Sequence, residues 1–262
     1  MGSSRAAVPG LPALALAVTC ALATACGAGT LDAVDAPTID VGLVAHWRFD
    51  DGQGATVLDS SGNGLAGALT GGLWIADGQF AGALYLTRGD YVTVPSFPAA
   101  TADWTVSAWV RYAQADIGTD LASIVTTEVP SAHGDPSIVV TPGGWELQGP
   151  ASNMTSELEF SFRDSTGHYS ALLCCQIQPD LWMHVTAVVD SRALTMSLYQ
   201  GAVMQSQTSI PSVIMPGNTI LHIGIEQAVD GLIWPFQGAV DEIRIYQRAL
   251  SAPEIAHLDG AP

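Results

Sequence analysis

An all-β sandwich of two antiparallel sheets with one short C-terminal helix is the fold this sequence predicts, and three observations predict it. Apolar residues recur with a period of two, as in Trp104, Val106, Ala108, Val110 and Tyr112, or Met183, Val185, Ala187 and Val189. Strand side chains alternate between faces, so such runs bury one face and expose the other. Gly (27) and Pro (15) interrupt the runs at short intervals, as the turns between many short strands require. A single stretch reads as a helix: Ser251 and Glu254 form a Ser-x-x-Glu capping box, Pro253 suits the first turn, and Ile255 and Leu258 form the apolar side.

The first strand runs from Leu43 to Phe49, with Leu43, Ala45, Trp47 and Phe49 inward, and ends at the turn Asp50-Asp51-Gly52. Turn chemistry continues through Asp59-Ser60-Ser61-Gly62-Asn63-Gly64. Strands are then expected at 83–86, 91–94, 104–112, 121–125, 145–147 and 158–162. The second half continues with 169–175, the hairpin 183–189 and 194–198 across Asp190 to Ala193, then 203–208 and 220–225. Gly238 to Tyr246 is the last strand. Strict alternation there puts Asp241 on one face with Ile243 and Ile245, and Val240, Glu242, Arg244 and Tyr246 on the other. An unpaired buried charge is costly, so Asp241 must lie at the rim, accept several hydrogen bonds or hold a cation.

Ahead of the sandwich, residues 1–26 read as an export signal. Leu11 to Ala25 is an Ala-rich apolar run too short to span a bilayer comfortably, and it ends in Leu22-Ala23-Thr24-Ala25-Cys26. The pattern resembles bacterial lipoprotein signals, which makes Cys26 the expected lipidation site and the cell envelope or surface the expected location; simple secretion and an uncleaved apolar tail are the alternatives. Residues 27–40, made of Gly, Ala, Thr, Pro and Asp without apolar periodicity, read as a flexible tether, and 41–260 as one domain.

A formal charge of −17 with only 8 Lys+Arg argues against binding nucleic acid or an anionic membrane surface, since both call for basic patches. Membrane contact is expected only through an N-terminal lipid anchor. Beyond Cys20 and Cys26 of the leader, the remaining cysteines are the neighbours Cys174 and Cys175. Adjacent strand residues point opposite ways, so two separate thiols are expected, with a vicinal disulfide as the alternative in an oxidising compartment.

The segments Leu43-Val44-Ala45-His46-Trp47-Arg48-Phe49-Asp50-Asp51-Gly52, Asp59-Ser60-Ser61-Gly62-Asn63-Gly64, Gly82-Ala83-Leu84, Asp90-Tyr91-Val92-Thr93-Val94-Pro95, Trp104-Thr105-Val106-Ser107-Ala108-Trp109-Val110, Trp182-Met183-His184-Val185 and Gly238 to Ile255 occur in that order along the chain. Together they resemble the laminin-G-like, concanavalin A-like jelly-roll domains of bacterial surface proteins. The resemblance implies a jelly-roll sandwich and a role in binding or adhesion more often than in catalysis.

Three chemistries follow. Asp50, Asp59, Asn63 and Asp241 are oxygen donors of the kind calcium takes from acidic, Gly-rich turns, so a structural Ca²⁺ joining the first strand's end to the last strand is expected. The resemblance supports Asp241 in that role; Asx turns and backbone hydrogen bonds are the alternative. Outward-facing residues of the central strands, among them Trp109, Arg163, Trp182, His184 and Tyr199, alternate aromatic and hydrogen-bonding groups as sugar-binding surfaces do, and so predict a glycan groove. For Trp109 and His184, which stand in motifs of the resemblance whatever the ligand, packing beneath loops is the favoured role and the groove the competing one. For catalysis, Glu157 and Glu159 share a strand face as glucanase carboxylates do, but a third carboxylate is missing, and Gly-x-Ser-x-Gly and HExxH motifs are absent. His133 and His168 fall in loop-like segments. The chain therefore reads as a non-catalytic extracellular domain whose partner is a glycan or an extracellular protein; an adhesive module and a glycan-active hydrolase are the alternatives.

Overall fold

The computed structural model of the protein describes residues 38–100, 102–114, 121–127, 144–150, 156–164, 168–212, 219–228 and 231–260. The export segment, Cys26, most of the tether and His133 lie outside the described residues.

The first half supplies β1 (Leu43–Trp47), β2 (Thr56–Val57), β3 (Gly67–Thr70), β4 (Leu73–Ile75), β5 (Ala83–Leu86), β6 (Tyr91–Val94), β7 (Trp104–Tyr112), β8 (Ser123–Thr126) and β9 (Trp145–Gln148). The second half supplies β10 (Glu157–Arg163), β11 (Tyr169–Gln176), β12 (Met183–Asp190), β13 (Thr195–Gln200), β14 (Val203–Ser209), β15 (Leu221–Ile223), β16 (Glu226–Ala228), β17 (Gly231–Ile233) and β18 (Gly238–Tyr246). The expected helix is α1 (Ala252–Gly260). The first sheet has the order β14-β13-β12-β7-β18-β5-β4, with β1 also paired to β18; the second has the order β11-β10-β9-β8-β15-β6-β3-β2. Every pairing in the two sheets is antiparallel, and β16 with β17 makes a separate two-stranded ribbon. The first and last strands thus lie side by side. The jelly-roll sandwich is the fold the periodicity and the resemblance predicted.

The inward faces of both sheets form one apolar core. Trp104, Val106, Ala108, Val110 and Tyr112 of β7 and Met183, Val185, Ala187 and Val189 of β12 meet Trp145, Leu147, Leu158, Phe160 and Phe162 of the second sheet. An aromatic row crosses between the layers, Phe97 to Trp104 at 6.3 Å, Trp104 to Trp145 at 6.0 Å and Trp145 to Phe160 at 6.3 Å between ring centres. Rings of this size each bury a large apolar surface, so this row contributes heavily to the packing between the layers. A smaller cluster lies on the opposite face of the first sheet, where Ile255 and Leu258 of α1 pack on Val188, Tyr199, Tyr246 and Leu250.

Two irregularities break the expected alternation. In β18 the register with β7 pairs Asp241 with Trp109 and Arg244 with Ser107, so three steps on one strand face two on the other. Glu242 carries the extra residue as a β-bulge with φ of 49°. The bulge shifts the phase: Val240 joins Ile243 and Ile245 in the core, while Asp241 stands with Arg244 and Tyr246 on the outer face. The predicted sharing of a face by Asp241, Ile243 and Ile245 is therefore corrected.

The second irregularity is in β11. Gln176 pairs with Glu157 and Cys174 with Leu158, so Cys175 is the unpaired residue, and its φ is 65°. At that backbone the two neighbouring side chains no longer point apart, and Cys174 and Cys175 are joined by a vicinal disulfide. The expectation of two separate thiols gives way to its alternative.

Candidate functional site

The residues predicted to line a glycan groove do not form one. Trp109, His184 and Tyr199 do share the outer face of the first sheet, but that face is roofed, leaving them 8%, 2% and 7% exposed. Helix α1 covers Tyr199, and Phe80, from the segment before β5, meets the Trp109 ring edge-on at 6.0 Å. Trp109 in turn stacks on the His184 ring at 5.1 Å, which is the packing role weighed against ligand contact. Trp182 precedes β12 and is half-buried, with the Arg111 guanidinium 4.8 Å above its ring and Arg111 paired to Asp77 at 2.9 Å. Arg163 belongs to the other sheet, where it lies over Tyr169.

Beneath that roof is a buried polar network. Ser107 Oγ is 2.8 Å from His184 Nε2, Thr186 donates to the same Oγ at 3.2 Å, and His184 Nδ1 is 3.4 Å from Asp259 Oδ1 of α1. Serine, histidine and aspartate thus follow one another as in a hydrolase triad. Ser107 is wholly buried in mid-strand, however, and a nucleophile needs a path to its substrate. The arrangement fastens the helix to the sheet. Burial pulls the His184 pKa below its ordinary value, with the Asp259 contact opposing, so its neutral form is favoured.

One strand pair along, Glu242 is fully buried among basic side chains: His46 Nε2 and an Arg244 guanidinium nitrogen each lie 2.6 Å from its Oε2, and Arg48 Nε is 3.7 Å from Oε1. A carboxylate so placed is tolerated because the Arg244 and Arg48 guanidinium groups oppose its charge and His46 hydrogen-bonds to it. Burial also lowers the His46 pKa, against the pull of Glu242.

The four predicted calcium donors separate into two pairs. Asp59 accepts hydrogen bonds from the backbone amides of His46, Ser61 and Leu65 and from the Ser61 hydroxyl, and these hold its pKa down against the upward push of burial. Asn63 donates to the Leu43 and Val44 carbonyls. Both stitch their turn to β1, as Asx-turn residues do. Asp50 and Asp241 converge instead on the segment before β5: Asp50 Oδ1 accepts the Gly82 amide at 2.8 Å and Asp241 Oδ2 the Phe80 amide at 2.9 Å. Asp241 is fully buried; the Gln79 and Glu242 amides also approach the carboxylate, but its Oδ1 makes no well-formed hydrogen bond. Burial first, then the neighbouring Glu242 charge, pushes its pKa up to about 7. Among the described residues no three His, Cys, Asp or Glu side chains gather where they could hold a metal ion, so a calcium here would draw its remaining ligands from backbone oxygens, as calcium does.

Glu157 and Glu159 lie on the second sheet's outer face, where Glu159 is fully buried and accepts from Tyr169 Oη at 2.8 Å and Gln148 Nε2 at 3.2 Å. His168 is exposed, with its amide bound to Asp164. Sequence reading missed Asp259, Phe80 and Arg48, whose roles depend on contacts across the fold. It also missed Trp74, which sits in the three-residue β4 between glycines and has no periodicity to mark it. Trp74 lines a hollow of about 400 Å³ with Asp50, Gly52, Ile75, Ala76, Ala81 and Gly82.

Comparison with known proteins bears on this geometry. The family model described as the concanavalin A-like lectin/glucanases superfamily matches residues 86–256. A search of curated protein sequences finds no match. Among solved structures, the binding domain of Paraclostridial Mosquitocidal Protein 1 superposes with a TM-score of 0.64 at 19% identity, covering 84% of this chain and 52% of that one. The botulinum neurotoxin serotype D ligand binding domain in complex with N-acetylneuraminic acid gives 0.61 at 15% identity, covering 85% and 51%. The botulinum neurotoxin C/D mosaic receptor binding domain gives 0.62 at 15% identity, covering 84% and 51%. This chain spans about half the length of each, and at these identities the likeness is one of fold.

Proposed function

The chain belongs to the concanavalin A-like lectin/glucanases superfamily, and from that premise we propose that it is a non-catalytic extracellular binding domain that recognises carbohydrate, carried at the cell envelope on a lipid attached to Cys26. The observation that carries the reading is the contrast between its two kinds of polar cluster. Of the groups whose order resembles a hydrolase, Ser107 and His184 are buried beneath the helix α1 that carries Asp259, whereas aromatic and carboxylate groups near the N-terminal turns line open hollows. Carbohydrate and receptor binding by structures of the same fold supports the class of ligand.

In this reading calcium is a structural cofactor held by Asp241 and Asp50 with backbone oxygens of the segment between them. The orphaned Asp241 Oδ1 fits such a group: a divalent cation supplies the charge that this carboxylate lacks. Asp59 and Asn63 are spent on their own turn and are not part of that set.

An array of immobilised glycans probed with the full chain tests the function, with hydrolysis of the same glycans followed by mass spectrometry. Retention without turnover is expected. Turnover would overturn the non-catalytic reading, and an empty array with a captured extracellular protein would favour the adhesive alternative. Labelling with a radioactive fatty acid, lost in Cys26→Ser, tests the anchor.

A further inference from the structure

Three hollows adjoin around the turn that follows β1. The first, of about 400 Å³, has Trp74 and Asp50 in its wall. The second, of about 370 Å³, shares Asp50 with it and adds Arg48, Asp51 and Leu58. The third, of about 310 Å³, shares Asp51 and Leu58 with the second. The shared walls make them neighbouring parts of one surface depression, and each lies at the small end of the ~300–1,000 Å³ found for ligand sites. The cleft borders the segment clasped by Asp241 at Ala81 and Gly82 and the Glu242 cluster at Arg48, while Trp74, Asp51 and Leu58 belong to neither.

The walls are built in advance of any ligand. Trp74 is half-buried, packs against the main core, and donates Nε1 to the Gly54 carbonyl at 3.0 Å, which fixes the indole plane. An aromatic ring locked in this way presents its remaining surface at little entropic cost. Asp51 accepts the Leu58 amide at 3.3 Å and so holds the far side of the turn, while Leu58 itself stays 60% exposed. A ring platform flanked by carboxylate acceptors suits a pyranose, whose C–H face is apolar and whose rim is a set of hydroxyl donors.

The charge of the cleft narrows the class of sugar. Arg48 is the one cation among its wall residues, and its Nε is 3.1 Å from Asp50 and 3.7 Å from Glu242. Asp50 is engaged by Arg48 and by the calcium proposed above, which leaves Asp51 as the charge presented to a ligand, on a chain whose formal charge is −17. An anionic sugar meets like charge here without a free partner, whereas the hydroxyls of a neutral sugar meet acceptors. We infer that the cleft bounded by Trp74, Asp50, Asp51, Arg48 and Leu58 is a binding site for a neutral oligosaccharide, with one ring stacked on Trp74 and hydroxyls donated to Asp51. Its carbohydrate class rests on the function proposed above; its location rests on the cavity and its walls.

The test is an array carrying neutral and sialylated oligosaccharides, probed with the wild-type full chain and with Trp74→Ala, Trp74→Phe and Asp51→Asn, each checked for an intact thermal transition. Neutral glycans should be retained by the wild type and sialylated ones not. Trp74→Ala should weaken binding about tenfold and Trp74→Phe by less. Val203→Ala, at an exposed position on the far edge strand β14, should bind as wild type. If Trp74→Ala fails to fold, the exposed-turn variant Asp51→Asn decides the matter on its own by loss or retention of binding. An array on which the wild type retains nothing overturns both this site and the proposed function. Neutral-glycan binding undiminished in folded Trp74→Ala and Asp51→Asn overturns the site and leaves the function standing, and binding of sialylated glycans alone overturns the charge argument and with it the site.

Discussion

Asp241 stands opposite Trp109 across the β7–β18 ladder, on the face turned away from the core, with Phe80 joining the two: its amide donates to the carboxylate and its ring meets the indole. A single bulge residue puts it there. The carboxylate is as buried as the core residues that flank it in sequence, but it is surrounded by the polar contacts of the roofed face.

Its titration should be visible in stability. The unfolded carboxyl releases its proton near 3.8, while the folded one keeps it up to about 7, so between these values the native state binds more protons and stability falls as pH rises. In chelator, wild-type melting temperature should therefore lose ground between pH 5 and pH 8 relative to Asp241→Asn, which has no charge to form. At pH 8 calcium should raise the wild-type melting temperature and leave Asp241→Asn unmoved. Identical wild-type melting with calcium and with chelator would falsify the calcium role.

The histidines act with the opposite sign. His46, His184 and His222 are all lowered, chiefly by burial, so the unfolded chain protonates first as pH drops below 6.5, and stability is lost on acidification from there down towards the folded values. Urea melts of wild type and His184→Gln at pH 7.5 and 5.5 isolate one contribution: the gap between the two proteins should shrink at the lower pH. A gap independent of pH would show that His184 is not held neutral.

Helix α1 is fixed by its first turn. Ser251 donates its amide and hydroxyl to Glu254 at 2.8 and 2.7 Å, and Arg248 pairs with the same carboxylate at 2.8 Å. Despite the upward push of burial, these bonds from Arg248 and Ser251 hold the Glu254 pKa at about 2, so its stabilisation is present above 4.5 and disappears as pH falls through about 2. Ser251→Ala should cost about 1 kcal/mol at neutral pH in chemical denaturation. Because α1 roofs the first sheet, the variant should also speed amide exchange in β12 and β13.

Gly238 begins β18 at a φ of 153°, and a Cβ there would lie 2.3 Å from the Arg111 carbonyl oxygen, which is backbone and cannot swing away. Gly238→Ala should destabilise by about 3 kcal/mol, read as a shift of the urea midpoint. Gly231→Ala, with no atom within 4 Å of the added carbon, serves as the comparison free of steric clash and should cost less.

What the sequence disclosed depended on how local the cause was. The strands β7, β12 and β13 carry unbroken alternation because each has an apolar core on one side and polar neighbours on the other, and their inward residues were readable one by one. The helix was readable from Ser251 and Glu254 because its cap is made within four residues. The phase of β18 was not, since Glu242 adopts a positive φ without the glycine or asparagine that usually announces it. That Trp109 and His184 pack under cover was legible from their motifs, but not that Phe80 and α1, on either side in sequence, supply the cover. The cleft at Trp74 escaped for a related reason: its walls come from a turn and a three-residue strand, where no period is long enough to count.

The last strand of the domain is a middle strand of its sheet, with β7 on one side and β5 and β1 on the other. On a ribosome, the chain up to Ile233 can form β7, β12 and β13 but must wait with β1, β5 and β7 lacking their shared partner. Their edges stay open until residues 238–246 emerge, and open edges are where chains stick to one another. The strand that joins the halves is therefore made after the other strands of both sheets, and a fragment stopping short of it should be handled by chaperones and proteases as an unfinished product.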